Sequence, residues 1–214
     1  MKNKRVAILA IIIGVIGVSI GAYSLISISS SINKSRIDIS NASPVLGNED
    51  AKITIIEFGD YQCVMCGRWF HNTKPAIMSE YIDKGIAKLY FVDFPIVGPD
   101  SFIAAEASYC AYDQGKYWEY HDLLYNNQQG ENDGWAKSEN LIKLASDLGL
   151  DTNEFKECLE SGKYKDRVES NREIAIQNGL RGTPSFIIVD NDDKILIVGA
   201  HPISKFREVI ESIQ

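Results

Sequence analysis

Residues 53–67 read Ile53-Thr54-Ile55-Ile56-Glu57-Phe58-Gly59-Asp60-Tyr61-Gln62-Cys63-Val64-Met65-Cys66-Gly67, and the rest of the chain is organised around them. The β-branched run at residues 53–56 predicts a buried strand that ends at Gly59-Asp60. Two thiols spaced C-x-x-C follow, and the sequence after them has helical character. A strand that delivers Cys63 to the first turn of a helix puts its sulfur among unpaired backbone N–H groups, at the positive end of the helix dipole. Both favour an anion. The thiolate is the nucleophilic form, so this placement lowers the pKa of Cys63 and makes it reactive near neutral pH. Cys66 falls one turn on along the same face, within reach to close a disulfide or to resolve a mixed one. The stretch reads as a redox dithiol.

Outward from it, residues 63–84 are expected to be helical, with Phe70, Ile77, Met78 and Tyr81 on an apolar face and Gly85 as the end. Pro75 must kink or interrupt that helix. Residues 88–94 (Lys-Leu-Tyr-Phe-Val-Asp-Phe) predict a second strand, which makes a βαβ unit with a parallel pair and a right-handed crossover. From about residue 100 to 179 strand signals are lacking, and residues 104–112, 117–125, 138–148, 153–159 and 164–178 read as helices. Gly115, residues 129–134, Gly149 and Gly162 punctuate them. Strands resume at residues 183–189 and return at 194–198 as a hairpin across a polar turn. The last helix, over residues 203–213, aligns Phe206, Val209, Ile210 and Ile213. The fold class is therefore α/β: a thioredoxin-like fold with an inserted all-helical block at about residues 100–179, within one domain over residues 44–214.

Residues 1–28 differ in kind. Lys2, Lys4 and Arg5 precede residues 6–28, which carry no charge and as a helix would extend about 34 Å, slightly more than the hydrocarbon core of a bilayer. The run is longer than the apolar part of a cleaved signal, and no Ala-x-Ala site follows. A membrane anchor is expected, with a removed signal segment as the alternative. In either case the basic end stays in the cytoplasm and the remainder is exported. Residues 29–43, rich in Ser and Asn, read as a linker with N-x-S sequons at Asn33 and Asn41. Across the 214 residues, 45% are hydrophobic and 24% charged, as in a globular protein. Five of the 22 basic groups and one of the 29 acidic groups fall in residues 1–40, leaving 17 against 28, a formal −11. So acidic a body is unsuited to nucleic acid.

The dithiol behind its strand, the Gly-Lys-Tyr-Trp-Glu-Tyr-His segment at residues 115–121, and Gly182-Thr183-Pro184-Ser185-Phe186 together resemble the DsbA-like thiol–disulfide oxidoreductases of the thioredoxin superfamily. The resemblance runs from about residue 44 to 214. It implies that Cys63 is the attacking cysteine and Cys66 its resolving partner. It also implies a cis peptide bond at Pro184, with the Thr183 backbone turned toward the dithiol to pair with an extended substrate. Glu57 matches a buried acid beneath the dithiol, placed to exchange the proton of Cys66. Val64 and Met65, expected to face substrate, depart from the Pro-His pair of the best-known members and supply no imidazole to the thiolate.

The activity so implied is that of an exported enzyme donating disulfides to proteins. A reductase or isomerase of the same fold, or a non-enzymatic peptide-binding protein, is the alternative. The partners are unfolded or reduced exported proteins and a membrane redox partner that reoxidises the dithiol. No bound cofactor is required, and a zinc site lacks the third and fourth ligands beside the C-x-x-C pair. Cys110 and Cys158 fall on two different expected helices, and an exported location favours a structural disulfide between them. His121, with Tyr117, Trp118, Tyr120 and Tyr125, reads as core packing. His71 is one turn past Cys66, and His201 reads as part of a loop. No phosphate loop, nucleophilic Ser/His pair or dinucleotide fingerprint is present.

Overall fold

The sheet has five strands in the order β1 (Leu46–Gly47), β3 (Ala87–Asp93), β2 (Ile53–Gly59), β4 (Ser185–Asp190) and β5 (Asp193–Val198). These come from a computed structural model that describes residues 37–191 and 193–213. The candidate membrane segment at residues 6–28, most of the linker and the Asn33 sequon lie outside the described residues. Among the described residues no helix is long and apolar enough to cross a membrane. The strand β2 pairs in parallel with β3 and antiparallel with β4, so the dithiol stretch leaves from the centre of the sheet. Period-two alternation divides its side chains between two faces. Ile53 and Ile55 join Phe186, Ile188 and Ile197 under Trp69, Ile77, Phe206 and Val209. Ile56 and Phe58 join Val92 and Ile187 under Ile174, Ala175 and Leu180 on the other face.

The expected long helix after Cys63 divides into α1 (Val64–Asn72) and α2 (Lys74–Ile77), followed by a π-helical turn over Met78–Ile82. Pro75 sits in the first turn of α2, where its missing N–H has no helical partner to lose. The break falls at Thr73, whose hydroxyl donates to the His201 carbonyl at 3.0 Å. Gly85 then turns the chain at φ +68°, a region open to glycine, to start β3.

The helical block comprises α3 (Pro99–Asp113), α4 (Tyr117–Asn126), α5 (Ser138–Asp147), α6 (Thr152–Glu160) and α7 (Lys165–Gln177), and the fold closes with α8 (Ile203–Ile213). The first of these begins at Pro99 rather than residue 104, with Pro99 in the first turn and Asp100 beside the helix dipole. Tyr109, Tyr120, Leu124, Leu141 and Phe155 build its core, which is continuous with Cys63, Cys66 and Phe70. The block is thus the roof of the dithiol. A disulfide joins Cys110 of α3 to Cys158 of α6, with Cα atoms 5.8 Å apart.

Two local expectations change. Leu46–Gly47, outside every expected strand, pairs antiparallel with β3 as β1. Residues 41–43 read as linker, yet Ala42 and Ser43 are buried. Arg167 of α7 donates to the Asn41 carbonyl at 3.0 Å and the Ala42 carbonyl at 2.6 Å, and Asn171 donates to the Asn41 carbonyl at 2.9 Å. Buried backbone groups need partners, and these partners lie more than 120 residues away in sequence. The Asn41 side-chain amide is itself engaged, donating to Ser170 Oγ at 3.0 Å.

Candidate active site

A carboxylate organises the turn between β2 and α1. Asp60 is 2% exposed and accepts from the backbone N–H groups of Gln62 (2.8 Å), Ile96 (2.8 Å) and Val97 (2.9 Å). The Cys63 N–H donates to the Asp60 carbonyl at 3.0 Å. Cys63 then precedes the first residue of α1 with extended backbone, φ −67° and ψ 114°, and its carbonyl accepts from Gly67 N–H at 3.1 Å. From the helical block, Gln128 Nε2 donates to the carbonyls of Tyr61 (2.7 Å) and Cys63 (3.0 Å). Glu131 accepts from Val64 N–H at 3.4 Å. Gly67 leaves room for this clamp, since a Cβ there would lie 2.0 Å from Gln128 Oε1.

Both cysteines are free thiols, Cys63 7% exposed and Cys66 fully buried. Val64 and Met65 flank them as exposed apolar side chains. Across the sheet, the Thr183–Pro184 peptide bond is cis, and the Cys63 thiol donates to the Thr183 carbonyl at 3.4 Å. The two thiols differ sharply in acidity. Donation from the Cys66 thiol, helped by Thr183 and the N–H groups of Cys66 and Met65, pulls Cys63 down to about 6 against the opposing effect of burial. Burial pushes Cys66 well above the ordinary thiol range, and the hydrogen bond that it gives Cys63 adds to this. One thiol is poised to ionise and the other to keep its proton.

Glu57, on β2 beneath the pair, is 1% exposed, and its Oε1 has no hydrogen-bond partner among the described residues. Burial raises its pKa to about 8, with the Lys74 charge acting in the opposite direction. Lys74 is buried and paired with Asp122 of α4 at 2.5 Å. His121 Nδ1 lies 3.0 Å from the Tyr61 hydroxyl. Burial, followed by the Lys74 charge, holds its imidazole well below the usual range, which makes it a neutral packing group. His71 is exposed at the end of α1.

The structure therefore gathers Cys63, Cys66, Glu57, Val64, Met65, Thr183 and Pro184 at one place and leaves Cys110 and Cys158 bonded within the helical block. Asp60, Lys74, Asp122, Gln128 and Glu131 belong to the site without any motif in the sequence. Only Asp60, next to the strand end as a turn residue, carried a signal that could have found it. Among the described residues no group of three or more His, Cys, Asp or Glu side chains is placed to hold a metal ion.

Comparison with known proteins agrees with this geometry. A family profile described as thioredoxin matches residues 40–212. A probable disulfide bond formation protein D of Bacillus cereus is 31% identical over 198 residues, covering 89% of this chain and 91% of that one. A probable disulfide bond formation protein D of Bacillus anthracis is 33% identical over 150 residues, covering 68% of this chain and 69% of its own length. The crystal structure of oxidised BdbD from Bacillus subtilis superposes with a TM-score of 0.74 at 29% identity, over 83% of this chain and 95% of that one. A strand-delivered dithiol under a helical roof, shared along nearly the whole described chain with these proteins, places the chain in the thioredoxin superfamily as a DsbA-like protein disulfide oxidoreductase.

Proposed function

We propose that this protein works as an exported disulfide donor, anchored to the membrane by residues 6–28 and returned to its disulfide form by a membrane redox partner. The supporting observation is the split between the two thiols. A dithiol whose reduced form is stabilised by a low thiolate pKa is a better oxidant, and the Cys63 thiolate is surrounded by donors that lower its pKa to about 6.

In the forward direction a substrate thiolate attacks Cys63 Sγ of the Cys63–Cys66 disulfide. The new sulfur–sulfur bond forms as the old one breaks, and its electron pair goes to Cys66 Sγ. Glu57, protonated at neutral pH, gives that sulfur its proton. A second substrate thiolate then attacks the substrate sulfur of the mixed disulfide and releases Cys63 as a stable thiolate. The Thr183 backbone beside Pro184 aligns the extended substrate, while the exposed Val64 and Met65 provide apolar contact. Because Val64 and Met65 bring no cation, the oxidising strength rests on the donors named above.

Mixing the oxidised full chain with a reduced two-cysteine peptide tests the proposal. Transfer of one disulfide per enzyme is expected, with Cys63 and Cys66 recovered as thiols. With Cys66→Ser, an adduct through Cys63 should accumulate when a mixed-disulfide peptide is supplied. Peptide that stays reduced at equilibrium would rule out the donor direction, and a reductase would remain.

A further inference from the structure

Lysine is rarely buried unless its charge is paired. The Lys74 ammonium is held by the Asp122 carboxylate at 2.5 Å and lies over the rings of Phe70 (4.6 Å) and Trp118 (5.6 Å). Glu57 continues the alternation of Ile53 and Ile55 along β2, the row that packs on Trp69 of α1 and Ile77 of α2. Its carboxyl therefore projects toward the helices that carry Lys74. Lys74 and Asp122 also line a surface cavity of about 290 Å³ together with Phe70, His71, Pro75 and Met78. Asp122 is 47% exposed, whereas Glu57 is 1% exposed. The ammonium thus lines a cavity open to water and acts by its charge on a carboxyl that water does not reach.

We propose that Lys74, anchored by Asp122, is the positioning charge for the Cys66 half of the exchange: it stabilises the carboxylate left on Glu57 when the proton passes to Cys66, and its cavity is where Glu57 regains a proton from water. This rests on the role given to Glu57 above. The balance is complete without another reactant. The substrate thiol releases its proton to water on becoming a thiolate, Glu57 gives one to Cys66, and Glu57 takes one back. An unpaired carboxylate created in a dry site would be strongly disfavoured, which is why a fixed cation is needed there.

The charged and titratable groups facing Glu57 are Cys63 in the active-site turn, Cys66 of α1, Lys74 of α2, and Asp122 and Tyr125 of α4. Of these, Lys74 favours the carboxylate, while Cys63 and Asp122 oppose it.

The test follows the Glu57 carboxyl by infrared titration of the oxidised full chain, together with the rate of mixed-disulfide formation against pH. Lys74→Met should move the Glu57 midpoint up by about one pH unit or more and slow exchange about three- to tenfold at neutral pH. Lys74→Arg should restore both. Asp122→Asn removes the opposing charge but keeps an oxygen that accepts from the Lys74 ammonium, so the Glu57 midpoint should move down. Opposite movements separate a charge effect from general loosening of the fold. Unchanged midpoints in Lys74→Met and Asp122→Asn overturn the proposal. A normal rate in Glu57→Gln overturns the role of Glu57 itself, and this inference with it.

Discussion

The two pairs of cysteines show how surroundings decide what a thiol does. Cys63 and Cys66 are separated by one helical turn, and Cys63 is placed among N–H groups at the start of α1 beside a second thiol that donates to it. Cys110 and Cys158 close a loop with a sequence separation of 48, between α3 and α6. The Asp113 carboxylate lies 3.8 Å from the Cys158 sulfur, and Glu154 and Glu157 line the same depression. Donors stabilise a thiolate at the first pair, while at the second three carboxylates line the depression against the single ammonium of Lys163, which pairs with Asp113 at 2.7 Å. Exchange needs a thiolate that attacks or leaves readily. The first pair is therefore suited to turnover and the second to constraint.

That contrast can be broken at either end. The largest effect is expected from the second pair on stability. Removing the Cys110–Cys158 bond by double substitution to Ala frees a loop of about 49 residues and should lower stability by about 4 kcal/mol in the chain-entropy model. Denaturant unfolding measures this. The potential of Cys63–Cys66 should stay in place, and a large movement of that potential would show the pairs to be coupled.

A smaller effect sharpens the account of the first pair. In Gly67→Ala the new Cβ would lie 2.0 Å from Gln128 Oε1 and displace the side chain that ties down the Tyr61 and Cys63 carbonyls. Helix propensity gains about 1 kcal/mol from this change, while the two hydrogen bonds lose roughly 1 kcal/mol each. Global stability should fall by about 1 kcal/mol, the difference between these, and amide exchange should accelerate locally around the turn. Exchange slowed or unchanged there would show that Gln128 does not hold the loop.

The parts legible in the sequence were those with local signatures. Period-two and period-3.6 patterns located β2, the hairpin of β4 and β5, and α8, and they placed α4 through α7 to within a residue or two at each end. The C-x-x-C spacing and Thr183-Pro184 marked both sides of the dithiol because each is a short motif with its own chemistry. Lys74, Asp122 and Gln128 left no such trace. They reach the site through contacts spanning 48 to 67 residues, and an isolated Lys or Gln on a helical pattern looks like solvated surface. Residues 41–43 misread for the same reason, since composition suggests a tether while Arg167 and Asn171 hold the backbone. Two-residue β1 is too short to have a period.

The most direct measurement is the equilibrium potential of Cys63–Cys66 in the full chain, followed against pH. Reduction takes up two protons below the Cys63 pKa and one above it, so the slope should fall from about 59 to about 30 mV per pH unit, with the break near 6 set by the Cys63 thiolate. At neutral pH the potential should lie between about −120 and −180 mV, among oxidants. A value near about −270 mV, with the break at the ordinary thiol pKa of about 8.5, would contradict the account and describe an electron donor.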